Sequence, residues 1–312
     1  MADPVVPPSP APSLVVLGNF DGVHRGHQAV LRAACERADT LGLLPVVLTF
    51  HPHPAAVLGK QFVQVLTALP RKVALIERLS PRIEVCVVPF TLDLAHRTAE
   101  EFVELILVRQ LNARFVLVGE NFRFGRGREG DFARLVELGR AHGFEAHAEA
   151  LLGDETGPLS SSRVRELLLQ GDVEGAERIL GRRHSVTGRV GHGDHRGRTI
   201  GFPTANLHDL TEALPSDGVY VARVLGGTVP MGYAVVNIGE RPTVDRPRTI
   251  EAYVLDFHGD LYGAQLTLEF VARLRDTTKF GSLDELKAGI ARDVAEARRI
   301  VHEPPASSEP SP

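Results

Sequence analysis

The sequence has few sulfur and indole side chains: two cysteines and no tryptophan among 312 residues. Two thiols cannot build the disulfide framework of a small secreted domain, and Cys35 and Cys86 stand in contexts typical of buried, reduced thiols. The chain also lacks an apolar run of about 18 residues, the length that a membrane-spanning helix needs. These absences exclude a disulfide-stapled domain and a helical membrane protein, and they favour a cytoplasmic protein.

Positive charge is not in excess either, since the formal net charge is -4 at pH 7. A protein that binds a nucleic-acid backbone carries a basic stripe, and one that stacks on bases needs aromatic rings, which make up only 6% of this chain. We therefore expect no nucleic-acid partner and no membrane partner. Small anionic ligands stay possible, because they require only local positive potential.

Both ends of the chain are rich in proline. The start, MADPVVPPSPAPS, has neither a basic segment nor a continuous apolar segment, so it does not resemble a signal peptide. We expect residues 1–13 and the tail 303–312 to be disordered. A length of 312 residues exceeds the roughly 100–200 residues of one domain, and a change of pattern near residue 184 predicts two domains, 14–183 and 184–302.

Apolar strands alternate with amphipathic helices in the first predicted domain. Near-continuous runs such as LVVLG, PVVLTF, EVCVVPF and RFVLVGE are separated by helical segments, one of which begins with a capping-box pattern of Thr98 and Glu101. This order predicts an α/β domain with a Rossmann-like parallel sheet that is covered on both faces. In such sheets, ligands bind beyond the carboxyl ends of the strands.

Short and often alternating strands follow residue 184, as in HSVTGRV, GVYVARVL, YAVVNIG and QLTLEFVARLR. They are separated by Gly, Pro or Asp, which predicts an antiparallel β-barrel or sandwich. The sequence SLDE then starts a last helix, whose apolar stripe consists of Leu286, Ile290, Val294, Ala297 and Val301.

A polar turn, GNFDGVHRGH, connects the first apolar strand to the first helix. The free N–H groups and the dipole of that helix stabilise anions at its start. Gly22 permits a tight turn, and Gly26 lets a phosphate approach the backbone. His24 and His27 would donate N–H groups to phosphoryl oxygens, so we interpret them as electrostatic stabilisers rather than nucleophiles.

The turn resembles the HxGH signature of the nucleotidyltransferase superfamily. TFHPHP at 49–54, VGENFRFGRGREGD at 118–131 and SSSRVR at 160–165 resemble the FMN adenylyltransferase module of bacterial bifunctional riboflavin kinase/FAD synthetases, although Ser162 and Val164 depart conservatively from its SSTxIR pattern. The resemblance implies that Asn121, with Phe122 or Phe124, contacts the flavin. It also implies a set of ATP-binding residues, which are Gly18, Phe20, Gly22, His24, Gly26, His27, Ser161, Ser162 and Arg165. Of these, His24, His27 and Arg165 are implied to be catalytic.

Simpler interpretations stand beside these roles. Serine hydroxyls at a helix start can hold triphosphate oxygens, but plain helix capping explains any single one equally well. Arg165 offers a guanidinium for bidentate phosphate binding. A solvated basic loop accounts equally well for Arg126 and Arg128, and His53 with the adjacent prolines can simply shape a loop.

A glycine-rich string, GHGDHRGRTIGFPTAN, occupies residues 191–206. Thr204 and Asn206 point to the same side of an extended segment, and two neutral oxygens suit Mg²⁺, which takes its other ligands from ATP and water. The string resembles the riboflavin kinase signature, and EAYVLDFHGDLYG at 251–263 resembles a later segment of that module. The resemblance implies a general-base and flavin-binding role for Glu251, metal binding by Thr204 and Asn206, and ATP binding by Gly191, Gly193, Arg198, Gly201, Pro203, Thr204 and Asn206.

Together the motifs imply a bifunctional flavin-nucleotide enzyme whose second domain is a riboflavin kinase-like Greek-key barrel. Riboflavin and ATP would give FMN and ADP in the barrel, and FMN and a second ATP would give FAD and pyrophosphate in the first domain, both with Mg²⁺. No obligatory protein partner is implied. Two alternatives stay open: an adenylyltransferase for another phosphate-bearing acceptor, which leaves Glu251 without a role, and a non-catalytic flavin-sensing regulator.

Overall fold

The computed structural model describes residues 11–59, 64–150, 152–155, 157–191, 201–227, 231–239 and 248–302. The chain divides into two compact units, Met1–Ser161 and Ser162–Pro312. Residues 162–183 thus fall in the second unit, and the domain limits 14–183 and 184–302 stay a prediction. The disorder expected of residues 1–13 and 303–312 concerns segments outside the described residues, except that residues 11–13 are described and a strand begins at Ser13.

Five parallel strands form the sheet of the first unit, which confirms the predicted α/β fold. They are β1 (Ser13–Leu17), β2 (Leu44–His51), β3 (Glu84–Pro89), β4 (Ala113–Gly119) and β5 (Glu145–Glu149), in the spatial order β3-β2-β1-β4-β5. The direction of strand addition reverses between β1 and β4. The carboxyl ends of these two strands therefore form a topological switch point, where open α/β sheets bind their ligands.

Helices cover both faces of this sheet. They are α1 (Arg25–Leu41), α2 (Pro54–Val57), α3 (Leu69–Glu77), α4 (Leu92–Ala95), α5 (Ala99–Phe102) and α6 (Phe132–His142). Alternate residues of β1 enter two separate cores, Val15 and Leu17 in one and Leu14 and Val16 in the other. This two-sided burial explains why the strand is apolar throughout.

The helix that begins at α5 differs from the prediction in its second half. Its capping box is confirmed, because the Thr98 hydroxyl accepts the Glu101 N–H (3.2 Å) and the Glu101 carboxylate accepts the Thr98 N–H (2.7 Å). Beyond Phe102, however, the backbone continues as a π-helix, Val103–Gln110. Apolar residues three and four positions apart suit either helix type, so the sequence pattern does not distinguish them. A 3₁₀ turn (Arg126–Arg128) and a small hairpin, β6 (Gly153–Asp154) with β7 (Gly157–Pro158), complete the first unit.

The second unit begins within α7 (Ser161–Gln170), followed by α8 (Val173–Leu180). Its sheet is a closed antiparallel barrel of β8 (Ser185–Gly191), β9 (Ala205–His208), β10 (Gly218–Gly226), β11 (Gly232–Gly239), β12 (Thr249–Val254) and β13 (Gln265–Arg275). The order is β10-β11-β12-β9-β8-β13, and β13 closes onto β10. Because β10, β11 and β12 are successive neighbours and β13 returns beside β10, the predicted Greek key is present.

A last helix, α9 (Leu283–His302), packs on the barrel through its predicted stripe, where Val294, Ala297 and Val301 meet Val219 and Val221. Gly201 and Phe202, which precede β9 after the glycine-rich string, are not part of a strand. Gly201 has a left-handed φ of 88°, which extended backbone does not accept, and the strand begins only at Ala205. None of the helices described is long and apolar enough to span a bilayer.

Candidate active sites

The turn after β1 lies at the switch point of the first unit and has an unusual backbone. Phe20 and Val23 have positive φ angles of 48° and 41°, and Gly22, between them, has a φ of 85°. Left-handed backbone at a β-branched residue is strained and persists only where neighbouring contacts enforce it. Gly18 also has a steric role, since a Cβ there would lie 3.1 Å from the Phe20 ring, which is itself buried.

Several hydrogen bonds hold this turn in place. The buried Asp21 carboxylate accepts the N–H groups of Leu66 (2.9 Å) and Thr67 (3.3 Å), which precede α3. The Ser161 hydroxyl donates to the Asp21 carbonyl oxygen at 2.8 Å, so this serine already has a partner at the turn. The sequence analysis did not select Asp21, because an aspartate in a polar turn reads as an ordinary turn residue.

The two histidines of the turn lie against each other at the start of α1. Their rings stack with centroids 3.6 Å apart and an interplanar angle of 22°. His24 is the N-cap of α1, and its Nδ1 accepts the His27 N–H at 3.3 Å, so a neutral His24 carries its proton on Nε2. The structure thus brings together the two predicted imidazoles, and the cap defines which nitrogen of His24 can donate.

His27 has a different environment from His24. Its Nδ1 is buried and has no hydrogen-bond partner among the described residues, and the edge of Phe20 meets its ring at 5.2 Å. Burial lowers the pKa of His27 well below its ordinary value, and the positive charges of His24 and Lys72 lower it further. His27 is therefore a neutral imidazole at pH 7, able to donate one N–H to an anion without titrating.

The space beside Gly26, where the sequence predicts that a phosphate approaches the backbone, is occupied by a side chain. A Cβ at this position would lie 3.1 Å from Nδ1 of His24, so the space left by the glycine is taken by the capping ring. The approach of a phosphate at Gly26 stays a prediction. Ser162, exposed, and Arg165, half-buried, lie in the first turns of α7 and belong to the second compact unit, so their place beside the histidines also stays a prediction.

The loop after β4 lines an open cleft of about 450 Å³ in the first unit. Asn121, Phe122, Arg123 and Arg128 lie along it. Phe122 is half-buried and stacks on Phe124 (centroids 5.4 Å apart), whereas Phe124 is only 6% exposed and belongs to the core. Of the two aromatic candidates, Phe122 is the ring that a ligand can reach.

Contacts with the start of α5 fix this loop. The Arg126 N–H donates to the Arg97 carbonyl oxygen at 2.7 Å, and the Glu129 carboxylate accepts the Ala99 N–H at 3.1 Å. Arg126 does not line the cleft, which favours the simpler interpretation of this arginine. In α2, His53 caps the helix by accepting the Ala55 N–H at 3.2 Å, so it shapes its loop.

The barrel carries a second cavity, of about 580 Å³. Pro203, Thr204 and Asn206 line one side, and the loop from Phe257 to Tyr262 lines another. Thr204 and Asn206 both border this cavity, but so does Ala205 between them, so the prediction that the two side chains point to the same side stays a prediction. Gly193 and Arg198 lie in the segment 192–200, outside the described residues, while Gly201 is exposed just before the cavity wall.

Glu251 does not line this cavity, but strand register places it beside Asn206, which does. Asn206 of β9 stands directly opposite Gly191 of β8 on one side and Glu251 of β12 on the other. Glu251 in turn stands opposite Asn237 of β11. Directly paired residues share a face of the sheet, so the predicted metal ligand, the predicted base and Asn237 form one row. The sequence analysis did not select Asn237, which only the pairing of β11 with β12 brings beside Glu251.

The donors of the barrel site suit a hard cation. Oδ1 of Asn206 is buried and has no hydrogen-bond partner among the described residues, and such an oxygen is costly unless a ligand satisfies it. In the part of the chain that the structure describes, no group of three His, Cys, Asp or Glu side chains could hold a metal ion. An amide and a hydroxyl oxygen therefore fit Mg²⁺ that arrives with ATP and keeps its phosphate and water ligands.

Comparisons with known proteins give consistent matches over both units. The FAD synthetase family model matches residues 6–163, and the riboflavin kinase model matches residues 180–301. The bifunctional riboflavin kinase/FMN adenylyltransferase of Escherichia coli strain K12 is 40% identical, over 92% of this chain and 92% of that protein. Its counterpart in Bacillus subtilis strain 168 is 36% identical, over 93% and 92%.

Among solved structures, the fold is similar to a crystal structure described as a macrolide-efflux protein from Streptococcus pneumoniae. The TM-score is 0.81 at 32% sequence identity, over 93% of this chain and 95% of that chain. The match extends through the parallel sheet and the barrel.

Proposed function

Because the chain belongs to the family of bifunctional riboflavin kinase/FMN adenylyltransferases, we propose that it converts riboflavin to FMN in its barrel and FMN to FAD at the switch point of its parallel sheet. ATP is the second substrate of both steps, and the products beside the flavins are ADP and pyrophosphate. Residues 14–183 and 184–302 are the proposed limits of the two catalytic domains, close to the ranges 6–163 and 180–301 of the family models.

For FAD formation, a phosphate oxygen of FMN attacks the α-phosphorus of ATP, and the bond from that phosphorus to the bridging oxygen breaks, releasing pyrophosphate. The neutral His27 and the Nε2–H of His24 donate to phosphoryl oxygens whose charge grows during transfer. The N–H groups at the start of α1 add positive potential. No covalent enzyme intermediate is needed, and Arg165, Ser161 and Ser162 are proposed to hold the remaining phosphates.

The flavin of this step is proposed to lie in the cleft after β4. Asn121 can hydrogen-bond the polar edge of the flavin ring, and the half-buried Phe122 can stack on it. Arg128 lines the same cleft and is the proposed partner of an anionic group, whereas Arg123 is already paired there with Asp131. The buried Phe124 supports Phe122 from behind.

For FMN formation, Glu251 is proposed to accept the proton of the riboflavin 5′-hydroxyl as its oxygen attacks the γ-phosphorus of ATP. A positioned carboxylate of this kind contributes about 10²–10⁴-fold to the rate. Thr204 and Asn206 would hold Mg²⁺, which neutralises phosphate charge when bound. The observation that carries this assignment is the row in which the unpartnered Asn206 oxygen stands opposite Glu251 in the barrel.

The enzyme is proposed to work in the cytoplasm on small molecules. Both cysteines are free, and burial raises the pKa of the Cys86 thiol to about 11. Burial also raises the pKa of Cys35. Thiols of this kind suit a reducing compartment, because they are structural and slow to react.

The decisive experiment separates the two chemistries. Purified protein is incubated with ATP, Mg²⁺ and either riboflavin or FMN, and the three flavins are separated. We expect Glu251→Gln to abolish FMN formation while FAD still forms from supplied FMN, and His27→Ala or Arg165→Ala to do the reverse. Glu296→Gln, in α9, is the matched control and should retain both reactions.

Loss of both reactions in folded Glu251→Gln protein would refute the assignment of one chemistry to each site. Adenylylation of FMN without any phosphorylation of riboflavin would show that the chain is an adenylyltransferase and not a kinase. Binding of flavins without turnover would indicate the regulator instead.

A further inference from the structure

Lys72 is a buried cation at the edge of the first site that no sequence motif explains. It lies in the first turn of α3, and only 7% of its surface is exposed. Lysine is among the residues least often buried unless paired. The chain has only four lysines, at positions 60, 72, 279 and 287, and otherwise uses arginine as its basic residue. A buried lysine in such a chain requires a specific reason.

The surroundings of Lys72 match an ammonium group. Its Nζ donates to the Thr49 hydroxyl (2.9 Å), to the Asn19 carbonyl oxygen (3.1 Å) and to the Phe50 carbonyl oxygen (3.5 Å). The Thr49 hydroxyl donates in turn to the same Asn19 carbonyl oxygen, at 2.9 Å. Three acceptors around one nitrogen suit the three donors of lysine, whereas the planar fork of arginine does not fit this arrangement.

These acceptors connect Lys72 to the predicted anion site. Asn19 is the residue before Phe20, where the strained part of the turn begins, and Thr49 and Phe50 end the neighbouring strand β2. Lys72 thus joins the carboxyl ends of β1 and β2. Because its partners are neutral oxygens, its positive charge is not cancelled by direct contact, and Asp21 attracts it without hydrogen-bonding to it.

We propose that Lys72 is a positioning residue for adenylyl transfer. Its ammonium fixes the Asn19 carbonyl, and so the start of the turn that carries His24 and His27, and its buried positive charge acts on His27. This inference rests on the proposed function of the first unit. Because the amine is enclosed, we assign it no contact with substrate.

The effect on His27 gives the proposal a readout that a merely structural lysine would not have. The groups that act on the His27 charge are His24, from the cap of α1, and Lys72, from α3, while Asp21 of the turn acts on Lys72. Loss of the lysine charge therefore raises the pKa of His27, even if the turn keeps its shape. A purely structural role predicts lower stability without that change.

The test compares Lys72→Met with Lys287→Met, the same substitution in α9 of the second unit. In the full-length protein we expect Lys72→Met to reduce kcat/KM for FMN adenylylation about 10- to 100-fold, the range for losing a buried charged donor. The KM for ATP should rise, and the acid limb of the pH profile should move to higher pH. Riboflavin phosphorylation should be unchanged in both variants, because the barrel belongs to the second unit. Circular dichroism and thermal unfolding report whether the first unit of Lys72→Met is folded.

Two further variants keep the test decisive if Lys72→Met does not fold. Thr49→Val removes one acceptor and keeps the charge, so adenylylation should fall while the acid limb stays in place. Lys72→Arg keeps the charge but not the geometry and should also reduce adenylylation. Wild-type adenylylation kinetics in these variants, or an unmoved acid limb in folded Lys72→Met, would overturn the proposal. If the wild-type chain makes no FAD from FMN, the proposed function fails instead.

Discussion

At the scale of single residues, the state of His27 links catalysis to stability. Burial and the charges of His24 and Lys72 lower its pKa below the ordinary value of 6.5. Between that lowered pKa and 6.5, the unfolded chain binds a proton that the native protein does not bind. Native stability therefore rises with pH through this window and reaches its full value above 6.5.

The first prediction concerns this linkage. His27→Asn removes the titrating group, so the melting temperature of the variant should depend less steeply on pH just below 6.5 than that of the wild type. Differential scanning calorimetry at several pH values measures this slope. His96→Asn, at an exposed position, is the control. An unchanged slope in His27→Asn would show that the buried ring does not carry the linkage.

Asn206 allows stability and chemistry to be separated at one position. Because its Oδ1 is buried without a partner among the described residues, Asn206→Leu should leave the stability of the barrel unchanged or raise it. The same change should reduce riboflavin phosphorylation about 10²-fold, since it removes the proposed metal ligand. Thermal unfolding and a kinase assay test both expectations.

Thr187→Val supplies the contrast. The Thr187 hydroxyl is hydrogen-bonded to the Thr267 hydroxyl at 2.9 Å. Loss of this hydrogen bond should lower the stability of the barrel and leave riboflavin phosphorylation intact. If Asn206→Leu destabilised the barrel as Thr187→Val does, the interpretation of Asn206 as an unsatisfied ligand would be wrong.

At the scale of elements, α9 has an ion pair with the barrel and a close apolar contact with the loop that precedes it. Arg275 of β13 donates to both carboxylate oxygens of Asp293, at 2.8 and 2.7 Å. Phe280, in the loop before α9, packs so closely on Gly289 that a Cβ there would lie 2.6 Å from its ring. The loop between β13 and α9 contains Thr277 and Thr278. The helix thus sets the position of that loop.

Gly289→Ala tests this arrangement. Alanine favours a helix by about 1 kcal/mol over glycine, but the displaced Phe280 should cost about 1–3 kcal/mol, so the net change is destabilising. FMN adenylylation should be unchanged, because the substitution lies in the second unit. In a Phe280→Ala background the same substitution should cost much less, and a double-mutant cycle measures this coupling. Equal costs in both backgrounds would contradict the packing argument.

The elements could be predicted because each leaves a local signal. Val15 to Leu17 form a continuous apolar run that is buried on both faces, and Thr98 and Glu101 stand three residues apart. The burial of Lys72 leaves no such signal, because its partners Asn19 and Thr49 are 53 and 23 residues away. The segment RKVALIERL looks like a surface helix with three cations, and only strand packing encloses one of them. The sequence likewise does not distinguish Phe122 from Phe124 as a flavin contact, because only the folded core buries Phe124.

At the scale of the whole molecule, the product of one unit is the substrate of the other. Glu251→Gln keeps His24 and His27, and His27→Ala keeps the barrel site, so an equimolar mixture of the two variants contains both activities. We expect this mixture to convert riboflavin to FAD after a lag in which free FMN accumulates. Chromatography of the flavins over time measures it. If the mixture made FMN but no FAD, while Glu251→Gln alone still converted supplied FMN, exchange of FMN through solution would be contradicted.

The closure of β13 onto β10 leaves the barrel without an exposed strand edge, whereas β3 and β5 end the parallel sheet on either side. Unpaired edges recruit strands from other chains, and closed barrels offer none. Aggregation of partly unfolded protein should therefore start from the adenylyltransferase half. Flavin phosphorylation should outlast FAD synthesis when the enzyme is stored or heated.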